Sequence, residues 1–515
     1  MRSFTLTAAA ELLLASSALA FRPSKMGVPP EPLEDALTLL AQQGGVTNGT
    51  FQQLIDHDHP ELGTFTQHFF FNGDFYAGPG SPIILMTPGE VALAGYEGYA
   101  TNRTITGTLA NNTGAGVIVL EHRYWGTSSP YKELTTDNMV HLTLDNSIRD
   151  LTYFAQHVDL PFDANHTSTP DKAPWILSGC SYSGALTAWT HALAPGTFWG
   201  YHASSAVVEA LDELWQYGVT VEQAMPKNCS ADVTKVIDEV DRILLGRNET
   251  AKHELKDKFG LADVEHDDDF ASVLFNPLGA WQSTSFATGY GNFSQWCDYV
   301  ENQWPGSKEP VPGAEGVGTE KALNGFAKYI KELFLSDACE GYGYWKGANN
   351  TECFNSYNVT SPLYTDITPD NAGNRQWEWF LCNEPFGWWQ NRGQGKLISR
   401  LVTKEYYGVD VHHVNRITGG WRNVNTTRLT WTVGEFDPWR PATVASDWRP
   451  DGQLPSTDQH PVNIIPGAAH CGDLSMKNYA ANAGVKKVMD TEMALIKQWI
   501  GEFYKEHGKP WPGHS

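Results

Sequence analysis

The chain has 515 residues, enough for a large core and two lobes, and 41% of them are hydrophobic. Its 59 acidic and 36 basic side chains give a formal charge of −23, which argues against nucleic acid and anionic membranes as partners. The charge also suits an acidic habitat, because an acidic protein loses self-repulsion when the pH falls.

The N-terminal residues have the features of a secretory signal. Arg2 provides a positive start, three consecutive leucines lie in an apolar segment, and Ala-Leu-Ala at 18–20 is typical of a cleavage site. Residues 1–20 are therefore predicted to be a signal peptide, which implies a secreted, extracellular protein. Residues 21–45 contain Pro and Gly without a core pattern and predict a tail or a short pro-segment.

Glycosylation signals support secretion independently. The chain has ten Asn-x-Ser/Thr sequons, and secreted glycoproteins carry such sites on surface loops. The predicted acceptors are Asn48, Asn102, Asn111, Asn165, Asn228, Asn248, Asn292, Asn349, Asn358 and Asn425.

After the predicted tail, short apolar runs alternate with a helical pattern. Solid apolar runs bounded by Gly or Pro are typical of buried parallel strands. Apolar residues at helical spacing between 142 and 158 predict a helix. The alternation predicts an α/β protein with a doubly wound sheet, whose first part covers residues 46–195. Strands are predicted at 64–71, 81–86, 117–120 and 173–177.

A turn with serine at its apex follows the last of these strands. The sequence Gly-Cys-Ser-Tyr-Ser-Gly at 179–184 lies between the strand and a helical pattern. Strand, sharp turn and helix are typical of the nucleophile elbow of an α/β-hydrolase, with Ser181 as nucleophile. The pattern departs from Gly-x-Ser-x-Gly at one position, where Ser183 replaces the last glycine.

The character of the chain changes after residue 195. Charge-rich helical segments predict that residues 196–375 form a mostly helical cap inserted after the nucleophile helix. Strand patterns return at 429–433 and 462–465, and an amphipathic helix follows from Val485. Residues 376–515 are therefore predicted to be the second part of the hydrolase domain.

An elbow serine needs an acid and a histidine base, in the chain order Ser, Asp or Glu, His. Asp437 and His470 each lie just past a predicted strand, where open α/β sheets build their sites. We predict that Ser181, Asp437 and His470 form the catalytic set. Glu435, two residues upstream of the aspartate, is the rival acid.

The chain has seven cysteines, and in an oxidising compartment most should pair while at least one remains free. Cys180, inside the predicted elbow, is expected to be the free thiol. No pair has the spacing of metal ligands, so we expect no metal site and no cofactor.

Several motifs resemble one family of serine peptidases. That family includes prolyl carboxypeptidase, dipeptidyl peptidase II and the secreted fungal acid prolyl endopeptidases, and the last branch is the most similar. The motifs are Phe-Gln-Gln-Leu-Ile-Asp-His at 51–57, Thr-Pro-Gly-Glu at 87–90, Glu-His-Arg-Tyr-Trp-Gly at 121–126, Ser-Tyr-Ser-Gly at 181–184, Trp-Glu-Trp-Phe-Leu-Cys-Asn-Glu at 377–384, Asp-Pro-Trp at 437–439, and His470.

The resemblance implies an α/β-hydrolase domain with a helical cap, and Ser181, Asp437 and His470 as nucleophile, orienting acid and base. It implies cleavage on the carboxyl side of proline in peptides or proteins. The sequence leaves open whether the enzyme acts as an endopeptidase or an exopeptidase. It also leaves open the pH optimum and the oligomeric state.

An acyl-enzyme mechanism also needs donors for the oxyanion. We predict that the N–H of Tyr182 forms one half of this hole, and that Gly89 and Glu90, after the first parallel strand, supply the other half.

The rigid ring of proline suits a pocket of flat aromatic walls. Trp439 is the best candidate, and Trp379, Phe386 and Trp388 either line the pocket or pack the cap onto the sheet. Glu384 either binds a substrate amine or forms a core salt bridge.

Two departures from the family pattern involve cysteines. The residue before the nucleophile is usually Gly in this family and is Cys180 here. Cys382 corresponds to a family cysteine whose partner usually lies further along, but no cysteine occurs between Cys382 and Cys471. Either that bridge is lost or the pairing differs.

Two other functions remain compatible with the pattern. A lipase or esterase would share the catalytic residues but use an open apolar trough. A non-catalytic binding protein could use an inactive hydrolase scaffold, although the intact catalytic set argues against it.

Overall fold

The computed structural model describes residues 45–390, 394–402, 410–458 and 460–514. The predicted signal peptide, residues 1–20, and positions 21–44 of the predicted tail lie outside the described residues. Among the helices that the structure does describe, none is long and apolar enough to cross a membrane.

One large sheet organises the molecule. The strands are β1 (Val46–Leu54), β2 (Thr64–Asn72), β3 (Ile83–Met86), β4 (Gly116–Leu120), β5 (Trp175–Cys180), β6 (Gly200–Ser204), β7 (Leu211–Glu213), β8 (Gly387–Trp389), β9 (Leu429–Gly434) and β10 (Val462–Ile465). Eight of them form a sheet in the order β1-β2-β4-β3-β5-β6-β9-β10, and β7 pairs with β8 apart from it. In this spatial order, all neighbouring strands from β4 to β10 run parallel. At the other edge, β1 pairs antiparallel with β2, and β2 pairs antiparallel with β4.

Helices lie between the strands and in a long insertion. They are α1 (Ile105–Thr113), α2 (Thr136–Met139), α3 (Leu144–His157), α4 (Tyr182–Leu193), α5 (Gln216–Ala224), α6 (Lys227–Leu244), α7 (Glu249–Lys258), α8 (Asp267–Gly279), α9 (Asn292–Val300), α10 (Thr319–Tyr329), α11 (Pro362–Thr365), α12 (Arg375–Asn383), α13 (Val411–Thr418), α14 (Met476–Ala481) and α15 (Ala483–Glu506). The two helices predicted from spacing are both capped: Thr143 accepts the N–H of Asn146 at the start of α3, and Asn482 accepts two N–H groups at the start of α15.

The central strands are apolar throughout because each serves two cores. Ile83 and Leu85 of β3 point into one core, and Ile84 and Met86 point into the other. The first core also holds buried residues of α3, α4 and the insertion, and the second holds those of α1 and α15. Helices therefore cover both faces of a mostly parallel sheet, and the chain has the α/β-hydrolase fold.

The predicted start of the insertion at residue 196 is too early. Gly200–Ser204 is strand β6, which pairs with β5 and β9 in the main sheet. Its sequence, Gly-Tyr-His-Ala-Ser, lacks the apolar run that predicts β3, β4 and β5. Between β6 and β9 the described residues add α5–α13 and the β7–β8 pair but no strand of the main sheet, so that sheet resumes only at Leu429.

Three disulfides join six of the seven cysteines: Cys180–Cys471, Cys229–Cys297 and Cys339–Cys353. The prediction that Cys180 is the free thiol is therefore wrong, because the elbow and the loop after β10 meet at the same edge of the sheet. Cys382, which is exposed, is the cysteine outside these three bridges.

Candidate active site

Ser181 lies in the turn between β5 and α4, in a strained conformation with φ 63° and ψ −128°. Small neighbours are required by space. A Cβ on Gly179 would lie 2.2 Å from the backbone oxygen of Ser183, and one on Gly184 would lie 2.3 Å from that of Ser204. The strand, turn and helix predicted from the sequence are thus all present, and they leave no room for larger side chains beside the turn.

Ser183, the departure from the usual elbow pattern, braces the turn. Its Oγ donates to the backbone oxygen of Cys180 at 2.8 Å and accepts the N–H of Cys180 at 3.0 Å. A glycine at this position could make neither bond. The hydroxyl therefore ties the first turn of α4 back to the end of β5 and helps to hold Ser181 between them.

The predicted acid and base are hydrogen bonded to each other. His470 Nδ1 lies 2.9 Å from Asp437 Oδ1 and 3.0 Å from Oδ2, and both side chains are buried. They follow β9 and β10 at the carboxyl edge of the sheet, as expected. Glu435 does not contact the histidine in this way, because its carboxylate accepts the N–H of Gly467 at 2.8 Å.

The two reactive atoms are left without hydrogen bonds by the described part of the chain. Ser181 Oγ and His470 Nε2 are both buried and have no hydrogen-bond partner among the described residues. Asp437 occupies Nδ1, which leaves Nε2 as the atom that can accept a proton. This arrangement can activate a hydroxyl for attack on a carbonyl carbon.

The loop predicted to supply oxyanion donors packs directly on the elbow. A Cβ on Gly89 would lie 3.3 Å from the Cβ of Ser183 and 3.6 Å from Cδ1 of Tyr182, so the approach of the loop depends on this glycine, whose φ is 88°. The N–H of Gly89 turns toward Thr87 Oγ1, at 3.4 Å. Tyr182 is the first residue of α4, so its N–H has no acceptor within the helix. Tyr182 and Glu90 remain the predicted donors.

Glu121, for which the sequence predicts no role, holds this loop in place. Its buried carboxylate accepts the N–H of Leu93 at 2.6 Å and the hydroxyl of Ser128 at 2.5 Å. Burial raises the pKa of Glu121, while these donors lower it. Glu121 belongs to the motif at 121–126 that resembles the peptidase family.

His122, the next residue, supports the elbow from the other side. Its Nε2 lies 3.0 Å from the hydroxyl of Tyr182. Burial lowers the pKa of His122 to about 4, so the imidazole is neutral at pH values above that. The side chain of Tyr182 is thereby fixed while its backbone N–H stays at the start of α4.

The aromatic residues predicted to bind proline occupy two environments. Trp439 is 1% exposed, its ring centroid lies 6.4 Å from that of His470, and its Nε1 donates to Gln282 at 2.9 Å. Phe386 stacks between Trp189 of α4 and Trp388, with interplanar angles of 7° and 4°. Only Trp439 therefore adjoins the predicted base, and Phe386 and Trp388 pack the insertion onto α4.

The two remaining predicted pocket residues, Trp379 and Glu384, are half-buried. Trp379 packs against the larger apolar core. Burial raises the pKa of Glu384, whose carboxylate accepts the side-chain N–H of Asn383 at 3.2 Å. Neither is placed by a contact with the predicted catalytic residues.

A second buried polar cluster lies beside the histidine loop. His202 Nε2 lies 3.1 Å from Asp473 and 3.5 Å from Glu492, and Glu492 also accepts the hydroxyl of Thr432. Burial and the neighbouring Asp473 raise the pKa of Glu492 to about 7. Burial lowers the pKa of His202, but the two carboxylates outweigh that effect and raise the pKa to about 10.

Comparison with known proteins agrees with this geometry. A model of the family described as serine carboxypeptidase S28 matches residues 52–491. Serine protease vicPa of Bipolaris victoriae is 38% identical over 90% of both chains. A probable extracellular serine carboxypeptidase of Arthroderma benhamiae is 28% identical over 88% of this chain and 67% of its own. Lysosomal Pro-X carboxypeptidase of Pongo abelii is 22% identical over 89% of both chains.

Proposed function

The chain belongs to the serine carboxypeptidase S28 family of serine peptidases, and we propose that it cleaves peptide bonds on the carboxyl side of proline through an acyl-enzyme. The observation that carries the proposal is the buried pair of Asp437 and His470, whose free Nε2 belongs to a loop bonded to the Ser181 elbow. The same pair would serve an ester hydrolase, so substrate class rests on the family.

In the proposed mechanism, His470 Nε2 takes the proton of Ser181 as Oγ attacks the carbonyl carbon, and returns it to the leaving amine. Asp437 holds the imidazole in the tautomer with its proton on Nδ1. The N–H groups of Tyr182 and Glu90 stabilise the oxyanion, and the loss of one such donor typically costs about 3 kcal/mol. In the second half, His470 takes a proton from water as the water attacks the acyl carbon, the bond to Ser181 Oγ breaks, and the proton passes from His470 to Oγ.

Two observations support proline as the recognised residue. One relative at 22% identity is a lysosomal Pro-X carboxypeptidase by name. In this chain, Trp439 places a flat aromatic ring beside the predicted base, where the residue preceding the cleaved bond must lie. We propose that Trp439 forms a wall of this pocket.

Digestion of a long proline-containing peptide tests the proposal. We expect mass spectrometry to find cuts after proline, and the same peptide with alanine at those positions to react about 10- to 200-fold more slowly. A short blocked Xaa-Pro substrate, digested in parallel, reports whether chain length matters. Equal rates on the two long peptides would contradict proline recognition, and hydrolysis of carboxylic esters without peptide cleavage would favour the esterase.

Trp439→Ala gives the matched test of the pocket. It should reduce the preference for proline over alanine, whereas Trp448→Ala, at a tryptophan that is 45% exposed, should leave the preference unchanged. Equal losses on both peptides would show that Trp439 supports the structure without contacting proline.

We further propose that the protein is secreted and works at acidic pH. Three disulfides are typical of oxidising compartments, and one relative is named extracellular. Eight of the ten predicted glycosylation sites are exposed, and Asn228 and Asn292 are half-buried. Enzymatic deglycosylation of the secreted protein should therefore lower its mass by several glycans, and an unchanged mass would count against this route.

Two buried carboxyls, Glu492 and Glu301, should stabilise the fold less as the pH rises from about 4.5 to about 8. The folded-state pKa of Glu492 is about 7, above the ordinary 4.5, so folding stabilises its protonated form. That contribution is complete below about 4.5 and is lost as the pH rises through 7. Glu301, beside Asp232 in the insertion, has a raised pKa of about 7 and the same sign. We therefore expect these two carboxyls to raise the Tm at pH 5 relative to pH 8.

Glu492→Gln separates this effect from the general charge of the protein. The glutamine side chain is neutral at both pH values, so the Tm of the variant should differ less between pH 5 and pH 8 than that of the wild type. Glu254→Gln, at an exposed glutamate, is the control and should keep the wild-type difference. A Glu492→Gln protein with an unaltered pH dependence would contradict the assignment.

A further inference from the structure

One disulfide joins the two loops that carry the predicted nucleophile and base. Cys180 directly precedes Ser181, Cys471 directly follows His470, and the two cysteines are bonded across 291 residues of sequence. Both cysteines are buried. A ring nitrogen of His470 lies within 4.8 Å of both sulfur atoms, so the bridge packs against the imidazole.

Two residues at the bridge, Ser181 and Cys471, have backbone conformations that their surroundings must enforce. The φ of Ser181 is 63° and that of Cys471 is 53°, in the region that favours glycine. Hydrogen bonds hold each loop to its own neighbours: Ser183 Oγ bonds to Cys180, and the N–H of Cys471 donates to Ser205 Oγ at 3.0 Å. These bonds restrain each loop, but they do not bond one loop to the other.

No hydrogen bond connects the nucleophile to the base. Ser181 Oγ and His470 Nε2 have no partner within the described part of the chain, and Asp437 holds the imidazole only at Nδ1. The covalent path Ser181–Cys180–Cys471–His470 is therefore the direct link between the two reactive side chains. Proton transfer between them requires a separation near 3 Å, and a displacement of about 1 Å can reduce the rate about 100-fold.

We propose that the Cys180–Cys471 disulfide is a positioning element that holds Ser181 Oγ and His470 Nε2 in register, and that its reduction lowers turnover. The inference rests on the proposed roles of those two residues. A water-soluble phosphine would reduce the bridge: one phosphine and one water per disulfide yield two thiols and the phosphine oxide. Because the bridge touches the base and not a proposed substrate contact, the loss should fall on kcat.

The test compares Cys180→Ala/Cys471→Ala with Cys339→Ala/Cys353→Ala, which removes a different disulfide, from the insertion. We expect the first variant to lose about 10- to 100-fold in kcat with KM within about twofold, and the second to keep the wild-type kcat. Reaction of Ser181 with diisopropyl fluorophosphate, which needs no peptide substrate, should slow by a similar factor in the first variant only. Thermal unfolding of both variants separates this loss from simple destabilisation.

The readouts distinguish failure of this inference from failure of the proposed function. Wild-type protein that diisopropyl fluorophosphate does not label at Ser181 would refute the catalytic assignment. Normal labelling and normal kcat in Cys180→Ala/Cys471→Ala would overturn the positioning role alone. Should that variant not fold, graded phosphine reduction of the wild type decides. Loss of activity should follow the alkylation of Cys180 and Cys471. A loss that instead follows the alkylation of Cys339 and Cys353 would contradict the inference.

Discussion

Ser181→Ala is expected to reduce kcat/KM by at least about 10⁴-fold while leaving a folded protein. The substitution removes the only atom that can form the acyl-enzyme, and the oxyanion donors and substrate contacts that remain support little catalysis by themselves. Alanine carries the same Cβ as serine at φ 63° and removes only the hydroxyl, so it fits the same space and the elbow should persist. Steady-state hydrolysis of a proline peptide and thermal unfolding are the measurements.

A matched serine distinguishes loss of the nucleophile from a general effect of substitution. Ser272→Ala, at an exposed position in α8, should keep wild-type activity and labelling. Diisopropyl fluorophosphate should label Ser272→Ala and the wild type at Ser181 and should not label Ser181→Ala. Turnover by Ser181→Ala close to that of the wild type would contradict the assignment of the nucleophile.

Asp437→Asn should cost several orders of magnitude in kcat, about 10³- to 10⁴-fold. The Oδ1 atom of Asp437 accepts the N–H of Trp439 at 2.9 Å as well as facing His470. An asparagine that keeps the bond from Trp439 through its oxygen turns its amide N–H toward His470 Nδ1. The imidazole then carries its proton on Nε2 and cannot accept one from Ser181.

Glu435→Gln is the control for the choice of acid. The glutamine oxygen can still accept the N–H of Gly467, so the loop should keep its shape and activity should stay within about threefold of the wild type. Both variants should be assayed over the same pH range, because a tautomer defect persists at every pH. A larger loss in Glu435→Gln than in Asp437→Asn would show that the acid is wrongly chosen.

The sequence predicted the inner strands where burial alone determines the local pattern. β3, β4 and β5 lie between two cores, so their residues must be apolar on both faces, and such runs are visible without any knowledge of partners. β6 was missed for the converse reason. It buries His202 and Ser204 in a polar cluster with Asp473 and Glu492, and no local signal distinguishes such a strand from a loop.

The candidate site divides in the same way. The elbow is a local device: a strained turn, glycines that leave no room for a Cβ, and a helix start are all encoded within six residues. The order of serine, aspartate and histidine after successive strands is likewise legible along the chain. The chain does not show which carboxylate faces His470, because Asp437 and Glu435 lie only two residues apart. The conformation of their loop directs Asp437 to the imidazole and Glu435 to the N–H of Gly467.

By itself, the sequence determined the strands that are buried on both faces, the elbow around Ser181 and the positions of the candidate acid and base, because burial and turn strain restrict residue types locally. Only the tertiary structure decided that Cys180 pairs with Cys471, that Phe386 packs against α4 while Trp439 adjoins the base, and that Glu121 holds the loop of Gly89. These contacts join segments far apart in sequence. They form because the parallel strands bring their carboxyl ends, and the loops that follow them, to one edge of the sheet.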